Sequence, residues 1–405
     1  MHILGIKVSG YRMLKDNFTI DFRTKAKVDP EFEYEDEVMN LLPKIDYPRT
    51  TIFSGANASG KTTILRLISL CLTIAVNGMC RYHKHDFTNE AIDLEFVFEM
   101  NGELMKYHGI INKPMGIVPS PEAFNYCSFS KEELYKRSSE LKLKKDDIFD
   151  NFDVLFKTRK DFSTGAILPH LSICGILYPN DDYKKMAMYI GSAHSSSVRE
   201  EMFYFNRFFL LPDAIKTNIL KILDDSIEDI SLVSKEKGMY SLKRFNQKAK
   251  ILDFVDLYNL LSSGTSRGII IFSHAYFVMK FGGILIIDEV ENSFHSSLVG
   301  DLIFLFNDEK INKNNATLIV STHYSDVLNM LRRRDSIYIC HKKDSVISVK
   351  NMYEYDIRTE LSKSNLYDNN RFNNLVNYET LMNFREAFNH EITRSRRGQQ
   401  WDSFL

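Results

Sequence analysis

The chain has 405 residues, of which 44% are hydrophobic and 26% charged, and its formal net charge is -1. These values are ordinary for a globular protein of one large domain or about two to three smaller ones. They exclude a generally basic chain, so any contact with nucleic acid must come from a local patch. The five cysteines are scattered without zinc-type spacing, which indicates free thiols in a reducing compartment. The sequence contains neither a signal peptide nor an apolar run of about 18 residues, and we expect a cytoplasmic protein without membrane contact.

Two stretches in the first part of the chain alternate apolar and polar residues. Residues 3–22 predict a β-hairpin with its turn near residues 15–17. Residues 91–98 and 104–111 predict a second hairpin around Asn101-Gly102, a typical turn sequence. We therefore expect a small antiparallel β layer here.

A glycine-rich loop lies between these stretches. The β-prone run 51–53 leads into Gly55-Ala56-Asn57-Ala58-Ser59-Gly60-Lys61-Thr62, and a helix predicted to reach about residue 76 follows. Strand, glycine loop and helix form the context of a P-loop, in which backbone N–H groups and the helix dipole bind phosphate. Lys61 is expected to reach the β- and γ-phosphates and the Thr62 hydroxyl to ligate Mg²⁺. The predicted ATP-binding residues are Gly55, Asn57, Ala58, Ser59, Gly60, Lys61, Thr62 and Thr63. A glycine turn that matches this pattern by accident is the alternative.

The pattern changes between residues 113 and 250. Residues 131–147 are highly charged with interleaved leucines, which predicts an exposed amphipathic helix or helical arm. Residues 200–211 are rich in aromatic side chains, and Pro212 precedes a predicted helix that ends at about residue 223. No long heptad series is present, which weighs against a coiled-coil arm. We expect a mainly helical insertion.

The third part of the chain alternates apolar strands with helices. Residues 284–287 are four consecutive aliphatic residues, and residues 317–321 and 336–340 form similar runs. Such runs are typical of strands buried on both faces in a parallel sheet. Helices predicted at 292–306 and 324–332 complete a doubly wound α/β arrangement. The stretch from residue 351 is polar and rich in asparagine and tyrosine.

Polar residues at the ends of these strands carry the predicted chemistry. Asp288 follows the first strand and is expected to hold Mg²⁺, while Glu289 orients or deprotonates the attacking water. His323 follows the second strand, where it can sense the γ-phosphate. Ser262 and Gly264 stand at a helix start, where a hydroxyl and free N–H groups can bind an anion. A solvated strand end, a structural histidine and a simple helix cap are the respective alternatives.

Several other groups give weaker signals. Glu291 and His295 are four residues apart on a predicted helix, which suggests a metal pair or, preferably, an indirect or dimer-contact role. The arginines at 332–334 and 394–397 fit a phosphate backbone, although short charge runs are more often solvated faces. Tyr11-Arg12, after Gly10, resembles the aromatic-arginine pair that related ATPase heads often carry near the nucleotide; core packing and a surface role are the alternatives.

In this order, the motifs resemble those of ABC-type ATPases in the RecF and SMC-head branch. Within that branch the chain is most similar to bacterial AAA-type ATPases called overcoming-lysogenization-like or abortive-infection ATPases. The resemblance spans residues 3–113 and 253–340. The residues that carry it are Gly55 to Thr62, Leu261-Ser262-Ser263-Gly264-Thr265, Ile287 to His295, and His323.

The resemblance implies a mechanism and partners. Ser262 and Gly264 would bind the γ-phosphate held by a second subunit, so that a homo-dimer or higher homo-oligomer closes around ATP. Members of the group commonly form the ATPase half of anti-phage systems, beside a separate nuclease or toxin effector. A RecF/SMC-like ATPase that clamps DNA or RNA is the alternative, and a nucleotide-binding scaffold with negligible turnover is a third. The family's metal-contacting glutamine has no counterpart, since glutamine occurs only at Gln247, Gln399 and Gln400; we therefore expect slow hydrolysis.

The sequence thus predicts an α/β fold: an ABC-ATPase-like P-loop head with a doubly wound, mostly parallel sheet, an antiparallel β layer and a mainly helical insertion. The head is expected to combine residues 1–112 with 251–350. Residues 113–250 would form the insertion, and residues 351–405 a C-terminal segment that contacts a partner.

Overall fold

A computed structural model of the chain describes residues 1–28, 35–78, 80, 86–113, 127–137, 147–162, 171–177, 187–191, 198–292, 295–357, 361–372 and 378–396. Within these residues the strands, in chain order, are β1 (His2–Ser9), β2 (Phe18–Asp21), β3 (Val38–Leu42), β4 (Ile45–Pro48), β5 (Thr50–Ser54), β6 (Ala91–Met100), β7 (Glu103–Asn112), β8 (Ser128–Lys136), β9 (Val154–Thr158), β10 (Ala187–Ile190), β11 (Ile227–Ser234), β12 (Met239–Arg244), β13 (Lys250–Asp253), β14 (Ile284–Ile287), β15 (Thr317–Thr322), β16 (Ile337–Lys343) and β17 (Val346–Asn351). The α-helices are α1 (Lys61–Leu72), α2 (Ile173–Leu177), α3 (Val198–Phe205), α4 (Asp213–Leu223), α5 (Phe254–Leu260), α6 (Ser263–Phe281), α7 (Ser296–Asn307), α8 (Lys363–Asp368) and α9 (Tyr378–Arg396).

The parallel sheet has the strand order β10-β14-β15-β5-β16-β17. Its strands run parallel except β17, which forms an antiparallel edge. Strands β5, β14 and β15 are buried along their whole length, as expected for aliphatic runs covered on both faces. The carboxyl ends of parallel strands lie at one edge of a sheet, so the P-loop, Asp288 and His323 meet there. The predicted doubly wound sheet is confirmed.

Side chains from alternate positions of these strands fill two different cores. Ile286 and Ile319 face the core that contains α1 and the antiparallel layer. Leu285 and Leu318 face the opposite core, which contains α6 and α7. Each fully buried aliphatic side chain contributes roughly 1.5–3 kcal/mol relative to an exposed one. The sheet is therefore stabilised from both sides, and the loops at its edge are held in place.

The antiparallel layer has the strand order β2-β1-β6-β7-β8-β9. Both predicted hairpins are confirmed, since β1 pairs with β2 and β6 pairs with β7. The predicted helical arm at 131–147 is wrong for residues 131–136, which belong to β8; residues 138–146 lie outside the described residues. In β8 the apolar residues Phe129 and Leu134 are buried, and pairing with β7 determines the conformation. Long-range pairing thus overrides a charged sequence that suits a helix.

The prediction of a mainly helical insertion is also wrong for the described part of 113–250. Strands β8 to β12 occur there beside helices α2 to α4. Strands β11 and β12 form a hairpin whose turn ends at Gly238, with φ of 59°, and alternation of apolar residues is its local signal. The predicted helix after Pro212 is confirmed as α4. Strand β10 pairs with β14 of the parallel sheet, so this region contributes a strand to the head. The domain boundaries themselves stay a prediction.

The helices around the site differ in detail from expectation. Helix α1 continues as a π-helical turn, Thr73–Asn77, close to the predicted end at residue 76. Helix α7 begins at Ser296 and not at residue 292, because a 3-10 helix, Val290–Asn292, follows the acidic strand end. The predicted helix at 324–332 is a 3-10 helix, Ser325–Met330. In the part of the chain that the structure describes, no helix is long and apolar enough to span a bilayer.

Candidate functional site

The P-loop joins β5 to α1 and is shaped by backbone conformations that few residues adopt. Gly60 has φ of 103° and directly precedes α1. A Cβ at Gly60 would lie 2.6 Å from Ile347 Cγ2, so only glycine fits between the loop and the β17 strand. Ala58 also has positive φ, 60°. Backbone in such conformations can turn N–H groups toward an anion, as in a P-loop.

Lys61 folds back over the loop. Its Nζ donates to the carbonyl oxygens of Gly55 at 2.7 Å and Ala56 at 3.0 Å. Burial lowers the pKa of Lys61, whereas the carboxylates of Glu291, Glu289 and Asp288 raise it. Carbonyl partners are weaker than phosphate oxygens, so an arriving anion can replace them.

Asp288 and Thr62 are brought together at the edge of the parallel sheet. Thr62 Oγ1 donates to Asp288 Oδ2 at 2.8 Å, and Ser321 Oγ donates to Asp288 Oδ1 at 2.5 Å. Asp288 is completely buried, and within the described residues it forms no ion pair. A buried carboxylate that meets only hydroxyl groups is suited to a cation.

The described part of the chain contains no group of three His, Cys, Asp or Glu residues that could hold a metal ion by itself. Mg²⁺ usually takes one or two protein oxygens and completes its shell with water and phosphate oxygens. The Thr62 and Asp288 oxygens fit this kind of shared site. The chemistry of these two residues therefore fits a Mg²⁺ ion that takes its other ligands from water and phosphate.

Glu289 lies beside the metal-facing pair in a strained backbone conformation, with φ of 51°. Its backbone N–H donates to Ser321 Oγ at 2.8 Å, and Asn292 Nδ2 donates to its Oε2 at 2.6 Å. These two contacts fix the backbone and the carboxylate of Glu289. Glu289 is thereby held in one conformation directly after Asp288.

One cavity of about 430 Å³ brings the predicted catalytic groups together. Lys61, Thr62, Glu289 and His323 all line it, although they come from three distant parts of the chain. The remaining lining residues come from the P-loop and from two segments that were not predicted, and they are Met13, Asn57, Ala58, Ser59, Gly60, Thr63, Lys342 and Ile347. Met13 and Ile347 give the cavity an apolar side beside Thr63.

His323 is held by Glu291, and the predicted relation between Glu291 and His295 is wrong. The His323 backbone N–H donates to Glu291 Oε1 at 2.8 Å, and His323 Nδ1 lies 2.5 Å from the same oxygen. His295 instead caps α7, with Nδ1 accepting from Ser297 N at 3.3 Å. Because α7 starts only after His295, the two residues do not share a helix face.

Ser262 and Gly264 stand at the start of α6, outside the cavity that contains the P-loop of the same chain. Ser262 Oγ accepts from Thr265 N at 2.9 Å, so the helix-cap interpretation describes this residue in the single chain. Arg267, one turn further along, donates through Nη2 to Gly191 O at 2.6 Å and to Asp288 O at 3.3 Å. The start of α6 is thus linked directly to the acidic strand end.

Ser321 and Tyr189 are polar residues of the site that were not predicted. Tyr189, on β10, donates through its hydroxyl to Asp288 Oδ2 at 3.4 Å. Burial raises the pKa of Tyr189 to about 12, and Asp288 adds to this effect, so the phenol keeps its proton at neutral pH. Ser321 ends an apolar strand just before His323, a position that could have been noticed in the sequence. Tyr189 gives no such signal, because its short strand lies in the stretch interpreted as an insertion.

Arg12 and the arginines at 332–334 do not line this cavity. The backbone N–H groups of Arg332 and Arg333 donate to Glu37, and Arg333 pairs with Asp335 at 2.6 Å. Arg12 pairs with Asp86 at 2.5 Å. These arginines therefore have structural partners. Residues 397–405, which include the end of the second arginine run, lie outside the described residues.

Comparison with known proteins shows which family the chain belongs to. Its sequence matches the family described as "AAA domain, putative AbiEii toxin, Type IV TA system" over residues 51–329. No curated protein matches the sequence. Similar solved structures include an SMC head domain from Thermotoga maritima (15% identity, TM-score 0.41, 87% of this chain and 99% of that one). A second is an SMC head bound to the C-winged helix domain of ScpA, with 12% identity and a TM-score of 0.45 over 86% of this chain and 97% of that one. A third is a dimeric bacterial ABC transporter cassette, with 12% identity and a TM-score of 0.29 over 86% of this chain and 100% of that one. Since the family match covers more than half of the sequence and includes the P-loop, Asp288, Glu289 and His323, the chain belongs to this AAA domain family.

Proposed function

We propose that the chain is the ATP-binding and ATP-hydrolysing subunit of a bacterial abortive-infection-type defence system. ATP-dependent dimerisation would sense a trigger and control a separate effector such as a nuclease or toxin. The observation that carries the enzymatic part is the cavity lined by Lys61, Thr62, Glu289 and His323. The family description, which names a toxin–antitoxin system, supports the defence role.

The P-loop binds the triphosphate of ATP in this proposal. Lys61 exchanges its two carbonyl partners for β- and γ-phosphate oxygens, and N–H groups of residues 57–63 surround the phosphates. Met13 and Ile347 provide an apolar side for the nucleoside. The Thr62 hydroxyl and the Asp288 carboxylate would hold Mg²⁺, and a bound Mg²⁺ would neutralise charge on the phosphate oxygens.

Glu289 acts on the attacking water. Its carboxylate accepts a proton from the water as the water oxygen bonds to the γ-phosphorus and the bond to the β-phosphate oxygen breaks. The products are ADP and inorganic phosphate. Asn292 and Ser321 keep Glu289 in place during this step. His323, which lines the same cavity, contacts the γ-phosphate.

Two copies of the chain close around two ATP molecules. Ser262 and Gly264 of one copy bind the γ-phosphate held by the P-loop of the other, using the N-terminal end of α6. Their position outside the cavity of their own chain supports this arrangement. Because contacts with the γ-phosphate favour the closed pair, hydrolysis allows the two copies to separate. Arg267 connects α6 to Asp288, so each copy couples its two nucleotide contacts.

The test is ATP turnover and oligomeric state in three variants. Glu289→Gln should lower kcat by about 100-fold or more while the chain still binds ATP, since a positioned general base contributes at least this factor. With ATP it should elute as a dimer in size-exclusion chromatography with light scattering. Lys61→Ala should bind no ATP and remain monomeric. Glu90→Gln, whose side chain is 93% exposed, is the matched control and should behave as wild type.

Three results would contradict parts of the proposal. Full turnover in Glu289→Gln would show that Glu289 is not the general base. A monomer under all conditions, including ATP-bound Glu289→Gln, would show that the chain does not form the closed pair. Turnover that DNA stimulates, with no effector recovered beside the chain, would favour the DNA-clamping alternative over the defence role.

A further inference from the structure

Glu291 has a buried carboxylate for which the proposed reaction has no use. The Glu291 side chain is 1% exposed. Glu291 is not among the residues that line the cavity. One oxygen, Oε1, accepts the His323 backbone N–H and also contacts His323 Nδ1. A single carboxylate oxygen therefore fixes both the loop after β15 and the imidazole ring.

This contact determines which ring nitrogen remains for a ligand. Nδ1 faces Glu291 Oε1 at 2.5 Å, although the two atoms do not have the geometry of a hydrogen bond. Nε2, on the opposite side of the ring, is therefore the nitrogen with which His323 can contact a group in the cavity. A phosphate oxygen accepts only from an N–H donor, so His323 contacts it through an Nε2 that carries a proton.

We propose that Glu291 is a positioning residue that makes His323 a donor to the γ-phosphate, and hence makes the site distinguish a nucleoside triphosphate from a diphosphate. The proposal rests on the proposed function in one respect, namely that the P-loop cavity binds nucleotide. A purely structural role is the competing explanation. Loss of a structural contact would weaken ATP and ADP alike, because both use the P-loop, whereas loss of the positioning contact would weaken only the ligand that has a γ-phosphate.

The charged groups around His323 define the variants. Glu291 is the acid in direct contact, while Glu289, Lys61 and Lys342 line the same cavity and the Tyr324 ring packs against the imidazole at 4.9 Å. Glu291→Gln keeps an acceptor for the backbone N–H and removes only the charge. His323→Gln removes the imidazole. Glu90→Gln is the control for loss of an exposed carboxylate.

Isothermal titration calorimetry in Mg²⁺ gives the Kd of each variant for ADP and for the slowly hydrolysed analogue AMP-PNP. Glu291→Gln should raise the Kd for AMP-PNP about 10-fold and leave the Kd for ADP within about twofold, since outer-shell partners typically contribute a factor of 10 to 100. In a His323→Gln background the same change should alter the Kd for AMP-PNP by less than about twofold, because the two residues act as one unit.

Two results would overturn the inference: equal weakening of both ligands, or an additive effect in the His323→Gln background. Wild-type turnover, measured in the same preparations, tests the proposed function separately. A wild-type chain that binds both ligands but hydrolyses no ATP would contradict the proposed function and leave the Kd ratio as a valid test. A chain that binds neither ligand would overturn both. Unfolding midpoints confirm that each variant is folded.

Discussion

Replacing Ser321 with alanine removes a hydroxyl that contacts both acidic residues of the site. The lost bond to Asp288 Oδ1 has a charged acceptor and contributes about 1.5–3 kcal/mol. The lost acceptor leaves the Glu289 N–H unsatisfied, which costs about 1–3 kcal/mol. Part of this free-energy cost is recovered as Glu289 relaxes from its strained φ of 51°. We expect a net loss of about 3 kcal/mol in the free energy of unfolding.

Turnover should fall as well, because the relaxed Glu289 no longer holds its carboxylate beside the γ-phosphate. We expect kcat to drop by about 10- to 100-fold with little change in nucleotide affinity. Urea unfolding and steady-state ATP turnover measure the two effects. Ser336→Ala is the matched control, since Ser336 is equally buried and its hydroxyl has no hydrogen-bond partner in the described structure. If Ser321→Ala were as stable and active as Ser336→Ala, the bridging role would be refuted.

Three further changes test other contacts. Tyr189→Phe should raise the Mg²⁺ concentration for half-maximal turnover by about threefold, the value of a weak hydrogen bond; an unchanged titration would exclude a role at the metal site. Burial lowers the pKa of His274 to about 4, below its unfolded value of 6.5, so stability present above pH 6.5 is lost as the pH falls toward 4. Between pH 7.5 and 5, urea unfolding should show wild type losing about 2 kcal/mol more than His274→Gln, and parallel slopes would contradict this. Arg159→Met removes the ion-pair partner of the fully buried Glu132 carboxylate and should lower the free energy of unfolding in urea by about 3 kcal/mol. Lys136→Met, at a more exposed ion pair, should lower it by at most about 1 kcal/mol. Equal losses in the two variants would show that burial of the pair is unimportant.

The sequence was most informative where the signal is local. Aliphatic runs identified β14 and β15, a β-prone run before the P-loop identified β5, and alternation with an Asn-Gly turn identified the β6–β7 hairpin. The juxtaposition of Thr62 and Asp288 was also predictable, because parallel strands bring their carboxyl ends to one edge. In each case the decisive information lies within about ten residues or in a general rule of sheet geometry.

Prediction failed where distant pairing decides the conformation. The charged residues of β8 suit a helix, and pairing with β7 and β9 makes them a strand. The role of Ser321 depends on Asp288, 33 residues away, and that of Tyr189 on a strand of four residues whose place in the sheet the sequence does not reveal. Glu291 was paired with the wrong histidine, because its true partner lies on another strand end.

The contact between Ile347 and the P-loop has a consequence for synthesis of the protein. Ile347 N donates to Met13 O at 2.8 Å, and the Ile347 side chain lies against the Cα of Gly60, so the cavity wall unites three segments that leave the ribosome far apart in time. An emerging chain that already displays the complete P-loop still lacks one wall of its nucleotide pocket. In this order of synthesis, the cavity is therefore completed only late in translation.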